Sequence, residues 1–180
     1  MKARHWLSTA LLVFLSFSVT AEDEEPVQFD VEMIVFRHLA PDDSEPQIDR
    51  VEEEDPDKPR IRRRRFTPLT SDQLRLGSIS KTLLSSRDWS PVLHYGWRQP
   101  AFGRVEAPAV SLAGNRRGAY ASGSARLSVE RFLRLELDLQ MDPGTGVSYT
   151  LDQARRMRSG EIHYFDHPQF GVIALVSRAE

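Results

Sequence analysis

From residue 127 to residue 141 the chain alternates between apolar and polar positions. Leu127, Val129, Leu133, Leu135, Leu137, Leu139 and Met141 stand at odd numbers, while Arg126, Ser128, Glu130, Arg134, Glu136, Asp138 and Gln140 stand at even ones. Successive side chains of a strand point to opposite faces, so this pattern predicts a strand with one face on a core and one in water. Arg131 and Phe132 interrupt the alternation, which predicts a bulge or twist there. Asp142-Pro143-Gly144-Thr145-Gly146 is a turn signal and predicts a hairpin to residues 147–158.

Other segments fall in with a sheet. Val31, Met33 and Val35 alternate with Asp30 and Glu32, and Ile34 and Phe36 make the far end apolar on both faces, so 29–36 is a predicted strand. Residues 89–97 form a second, with Pro91 near its start where no ladder donor is missed. Val172, Ile173, Leu175 and Val176 lie in a last strand over 171–177. Residues 100–123, rich in Gly, Pro, Ala and Ser, are predicted as an irregular connection. Thr70-Ser71-Asp72 marks a helix start, and Leu76, Ile79, Leu83 and Leu84 recur at helical spacing, predicting an amphipathic helix over 72–86. Gly77 falls inside that helix at a cost of ~1 kcal/mol relative to alanine. The expected class is α+β, a mostly antiparallel sheet with one main packed helix.

The amino terminus predicts export. Lys2, Arg4 and His5 precede an apolar run from Trp6 to Val19, and Ala21 closes it before Glu22-Asp23-Glu24-Glu25. That order is a signal peptide, residues 1–21, cleaved after Ala21. The run is shorter than the ~20 residues that span a bilayer, so no transmembrane anchor is expected after cleavage. A periplasmic single domain over 22–180 follows. The chain has no cysteine, which removes thiol nucleophiles, thiolate zinc sites, iron–sulfur clusters and a lipoprotein anchor. Net charge is −2, and −4 once residues 1–21, with Lys2 and Arg4 and no acid, are removed. That balance gives no global signal for nucleic acid. An acidic, proline-containing stretch over 41–57 is followed by Arg60, Arg62, Arg63, Arg64 and Arg65, predicting a mobile charged loop at about 41–66. Its arginines suit either an anionic polymer or a solvated tract.

Two segments concentrate polar and aromatic groups. Arg155-Arg156-Met157-Arg158-Ser159-Gly160-Glu161-Ile162-His163-Tyr164-Phe165-Asp166-His167-Pro168 admits three readings. His163, Asp166 and His167 would share one face of a helix and could hold a metal, but Gly160 and Pro168 oppose a helix and the spacing is not H-E-x-x-H. The same residues could serve as acid and base in a wall hydrolase, although no nucleophile motif accompanies them. The third reading is recognition of a sugar–peptide polymer. Arg155, Arg156 and Arg158 would hold carboxylates, with the flat groups of His163 and Tyr164 against sugar rings. In the other segment, a strand puts His94, Gly96 and Arg98 on one face, where Gly96 would let a ligand backbone approach, and Tyr95 and Trp97 on the opposite one. The candidate ligand-binding set is His94, Trp97, Arg98, Arg155, Arg156, Arg158, His163, Tyr164, Asp166 and His167. No catalytic residue, metal or cofactor is assigned.

Val31-Glu32-Met33-Ile34-Val35-Phe36-Arg37, the run from Trp89 through His94-Tyr95-Gly96-Trp97-Arg98-Gln99 to Pro100, Arg131-Phe132-Leu133-Arg134-Leu135, and the run from Arg155 to Gly171 together resemble the CsiV family. The last run is the most specific, and the charged excursion at 41–65 falls outside the matched segments. The resemblance implies a periplasmic, non-catalytic, peptidoglycan-binding protein of Gram-negative cells. It also implies support of wall synthesis by a class A penicillin-binding protein, through that enzyme's outer-membrane lipoprotein activator. A protein-only periplasmic scaffold is the remaining alternative.

Overall fold

The computed structural model describes residues 26–41 and 62–180. The predicted signal segment and most of the charged excursion lie outside the described residues. The elements are β1 (Gln28–His38), β2 (Thr67–Pro68), α1 (Gly77–Ser85), β3 (Trp89–Pro100), β4 (Val110–Arg116), β5 (Ala119–Val129), β6 (Leu133–Asp142), β7 (Tyr149–Met157), β8 (Ile162–His167) and β9 (Phe170–Arg178). They form a five-stranded sheet, β2-β3-β1-β9-β8, and a four-stranded sheet, β4-β5-β6-β7. Every pairing between these strands is antiparallel. Among the described residues no helix is long and apolar enough to cross a membrane.

Strand alternation decides where the core lies. Val31, Met33 and Val35 of β1 pack with Trp97, Val172 and Val176 toward Leu112, Leu127, Leu135, Leu137, Leu139 and Met141 of the other sheet. The opposite face of β1 puts Ile34 and Phe36 against Leu76, Leu83 and Leu175, so the short helix covers the outer face of the five-stranded sheet. The result is a helix on a sheet on a sheet, and among the described residues no element covers the outer face of the four-stranded sheet. A buried polar link crosses the core. Trp97 Nε1 donates to Gln99 Oε1 at 2.7 Å, and Gln99 Nε2 donates to the Leu127 carbonyl at 3.3 Å.

Three sequence expectations need correction. The long strand through Arg131 and Phe132 is two strands: Val129 pairs with Leu133, and residues 130–132 are a hairpin loop. A three-residue loop keeps odd positions facing the core on both arms, so the parity of the two strands is the same on either side of the turn. The connection predicted over 100–123 contains β4 and the start of β5, whose inward Ala119, Ala121, Gly123 and Ala125 are too small to mark a strand by hydrophobicity. The helix is shorter than predicted. Thr70 and Gln73 close one turn, with Gln73 Oε1 accepting from Thr70 N and Oγ1 at 2.9 Å, and α1 then begins at Gly77, its first residue and not its interior. Of the charged excursion, residues 62–66 are described. Ala109 N donates to the Arg62 carbonyl at 2.8 Å and Arg64 N to the Ala109 carbonyl at 2.9 Å, a parallel bridge beside β4.

Glu32 explains the late helix start. It is 3% exposed, on the helix-side face of β1. Its carboxylate accepts the backbone N–H of Arg75 at 2.7 Å and of Leu76 at 2.9 Å. These donors precede α1, so a strand residue caps the helix in place of a local side chain. His94 Nε2 lies 2.6 Å from Glu32 Oε1; an ionised carboxylate only accepts, so Nε2 carries the hydrogen. Burial pushes the Glu32 carboxyl up, but the His94 hydrogen bond and the two amides outweigh it and hold the carboxyl below its ordinary value.

This packing makes two outcomes measurable. Glu32→Ala strands two amide donors and is expected to cost about 3 kcal/mol, measured by denaturant unfolding at neutral pH. A carboxyl depressed in the folded state contributes stability that is present above its ordinary value of 4.5 and is lost as pH falls through the folded value. Glu32→Gln is therefore expected to flatten the acid loss of stability, and an acid slope identical to that of the parent chain would remove Glu32 as a cause. Separately, Gly123 has φ 139°, and a Cβ there would sit 2.1 Å from the Asp138 carbonyl oxygen. Gly123→Ala is expected to cost about 3 kcal/mol by forcing β5 from β6; an unchanged thermal midpoint would contradict the β5–β6 register.

Candidate functional site

The sequence-predicted residues divide between packing and surface. Trp97 is fully buried in the core and has no surface to offer a ligand. His94 is engaged by Glu32. Arg98 is engaged by Asp30, its Nε and Nη2 donating to Oδ1 and Oδ2 at 2.7 and 2.8 Å. The open space expected over Gly96 is filled: a Cβ there would meet Leu69 Cδ1 at 2.8 Å and Leu74 Cδ2 at 3.0 Å. This segment fastens β3 to β1 and to the turn before α1.

The second segment spans two sheet edges. β7 ends the four-stranded sheet and β8 the five-stranded sheet, and side chains of β7 seal the carbonyls of β8. Arg155 Nη1 donates to the Tyr164 carbonyl at 2.7 Å, and Gln153 Nε2 to the Asp166 carbonyl at 2.9 Å. The Arg155 guanidinium also lies 5.0 Å from the Phe165 ring centroid. An edge strand's open carbonyls are a liability, and these side chains answer it. Tyr164 donates to Asp166 Oδ1 at 2.6 Å, stacks on Phe36 and lies across Gly171. Burial, then Asp166, pushes the Tyr164 hydroxyl's pKa up. Arg158 is exposed, 3.4 Å from Glu161, and its amide donates to His163 Nε2 at 3.4 Å.

The expected convergence of His163, Asp166 and His167 does not occur. All three lie on β8. Strand alternation turns His163 and His167 toward the inner face and Asp166 toward the helix side. The two histidines are four residues apart, about 13 Å along a strand. Among the described residues no group of three or more His, Asp or Glu is arranged to hold a metal ion. His167 instead packs on Phe170 and accepts the Gln169 amide at 3.1 Å, and burial, then His38, lowers its pKa.

Only Arg156 of the predicted set reaches the open face of the four-stranded sheet. Register brings Ser128, Arg134 and Arg156 side by side, with Arg126, Glu136 and Ala154 in the next row. The β5–β6 loop adds Arg131 and Phe132, and the loop before β4 adds Arg104. These groups surround a cavity of about 180 Å³ lined by Arg104, Ser128, Glu130, Arg131, Phe132, Arg134 and Arg156.

The charges there are ordered. Glu136 pairs with Arg126, accepts from Arg134 Nε at 2.9 Å and lies 3.9 Å from Arg104. Burial raises the Glu136 pKa, but Arg134 and Arg126 outweigh it and hold the carboxyl below its ordinary value. Arg156 and Arg131 rest on the Phe132 ring, 3.4 and 5.4 Å from its centroid. Phe132 is 43% exposed. Among the described residues no carboxylate pairs with Arg131 or Arg156. Two guanidiniums on an exposed ring form a basic, flat-walled surface suited to carboxylates on an apolar or sugar framework. The even-numbered alternation had placed Arg126 and Arg134 in water, but their convergence with Arg104, Arg131 and Arg156 depends on a hairpin the sequence pattern does not disclose.

No curated protein and no solved structure matches the chain. A family model described as "Peptidoglycan-binding protein, CsiV" matches residues 6–179, nearly the whole length. The chain belongs to the CsiV family of peptidoglycan-binding proteins.

Proposed function

We propose that the chain is a non-catalytic periplasmic adaptor that holds peptidoglycan on the open face of its four-stranded sheet. Residues 1–21 would direct export and be removed after Ala21. The observation that carries the reading is the group of arginines around Phe132 on a chain whose net charge is negative. Peptidoglycan stems bear carboxylates at intervals along a sugar framework, and guanidiniums bind such groups through paired N–H donors. Glu136 fixes Arg126 and Arg134, while Arg131 and Arg156 keep their charges unneutralised on a ring that can also cover a sugar face.

Within this reading the adaptor supports a class A penicillin-binding protein through that enzyme's outer-membrane lipoprotein activator. The dispersal of His163, Asp166 and His167 favours an adaptor over a hydrolase built on those residues.

Pull-down with insoluble sacculi tests the reading. The chain lacking residues 1–21 is expected to sediment with sacculi at low salt and to be released as salt screens the arginines. Arg131→Ala with Arg156→Ala is expected to weaken retention roughly ten-fold with little change in thermal midpoint, since both side chains are exposed. A chain that stays wholly in the supernatant sinks the binding function, and undiminished retention of the double variant moves the site off this face. Soluble fragments released from sacculi by the chain alone would make it a hydrolase.

A further inference from the structure

A second cavity, of about 260 Å³, adjoins the basic one on the same sheet face and carries both signs of charge. Ser124 and Arg126, the latter paired with Glu136 in the same lining, form one side of it, and Asp138, Asp152 and Ala154 the other. Arg63 stands at the near rim: its Nη1 donates to Ser111 Oγ at 3.3 Å, and Ser111 pairs across the ladder with Ser124. Asp138 and Asp152 are directly opposite each other on β6 and β7. Like charges in that arrangement repel and weaken a sheet. No cation among the described residues pairs with either of them.

The cavity is smaller than the ~300–1,000 Å³ of pockets that enclose drug-sized ligands, so it suits a small charged group and not a sugar pair. A divalent ion would want six or more oxygens, and no such ligand set is gathered among the described residues. An ammonium between two carboxylates, beside a carboxylate facing guanidiniums, satisfies both walls at once. That is the chemistry of an amino-acid head.

We propose that this cavity binds the free α-amino-carboxylate end of a stem diamino acid, its ammonium between Asp138 and Asp152 and its carboxylate toward Arg63, which pairs with no carboxylate among the described residues, and toward the Arg126 N–H groups that Glu136 leaves free. The inference rests on the peptidoglycan-binding reading and refines it: the ligand is the peptide stem, and the stem is uncrosslinked. A crosslink converts that amine into an uncharged amide, and the two aspartates then lose the cation that relieves their repulsion.

Calorimetric titration with three soluble probes tests the proposal. The first is a disaccharide–tripeptide ending in meso-diaminopimelate with its amine free, the second the same molecule N-acetylated on that amine, and the third the disaccharide without peptide. The free-amine probe is expected to bind roughly ten-fold or more tightly than the acetylated one, as for a charge-assisted hydrogen bond. Asp138→Asn with Asp152→Asn is expected to remove that difference while leaving the acetylated probe's affinity unchanged. The double variant also loses the opposed charges, so it is expected to melt no lower than the parent chain. Equal affinity for the first two probes, or no binding of the tripeptide beside intact sacculus retention, overturns the stem-end site and leaves the peptidoglycan reading standing. Loss of sacculus retention by the unmutated chain overturns the reading beneath it.

Discussion

Glu32 decides which faces of this fold are free. It is a buried carboxylate on a core strand, and it is kept ionised by one imidazole and two backbone amides. A carboxylate so placed is tolerated only with such donors around it. The amides come from the turn before α1, so satisfying the charge also seats the helix on the outer face of the five-stranded sheet. Leu76, Leu83 and Leu175 then close over Ile34 and Phe36. The inner face is taken by the core. Among the described residues one extensive strand face remains uncovered, that of β4 to β7, and the two cavities described above lie on it.

Much of the sheet was legible because burial on one face leaves a period of two. β1, β3, β7 and β9 fall close to their predicted positions, as does the Asp142 turn, whose carboxylate accepts the amides of Gly144, Thr145 and Gly146. The errors have specific causes. Glu130, Arg131 and Phe132 carry no glycine, proline or asparagine, so the break at Arg131 and Phe132 read as a bulge and not as a turn. Their number also preserved the parity of the flanking apolar residues. In β5 the inward alanines and Gly123 give way to the bulkier Leu112, Leu139 and Met141 opposite, so strand character resides in the pairing and not in the residues themselves. The helix start was misplaced because its cap is 44 residues away in sequence, on Glu32.

The candidate site was less legible than the fold. Sequence proximity favoured the run from Arg155 to His167, whose Met157 and Phe165 are core residues while Arg155, Arg156 and Arg158 are exposed. Alternation, however, sends adjacent residues to different jobs: Arg155 seals the β8 edge while Arg156 joins the basic face. Trp97 and His94 looked suited to ligand binding by residue type, but burial and the Glu32 charge engage them inside the protein. The residues that form the basic cavity are spread from Arg104 to Arg156, and only the strand register brings them together.

The order within that cavity bears on affinity. A flexible arginine loses side-chain entropy when a ligand immobilises it, and that loss offsets part of the electrostatic attraction. Here Glu136 already holds Arg126 and Arg134, and the Phe132 ring already carries Arg131 and Arg156. The first pair is fixed but partly neutralised; the second is braced by stacking, which leaves its charge available. A carboxylate arriving at this surface therefore meets guanidiniums ordered before binding, so less of their pull is spent on ordering and more appears as affinity. Because Arg134 and Arg126 hold the Glu136 carboxyl below its ordinary value, that order persists wherever an incoming carboxylate of ordinary pKa is itself charged.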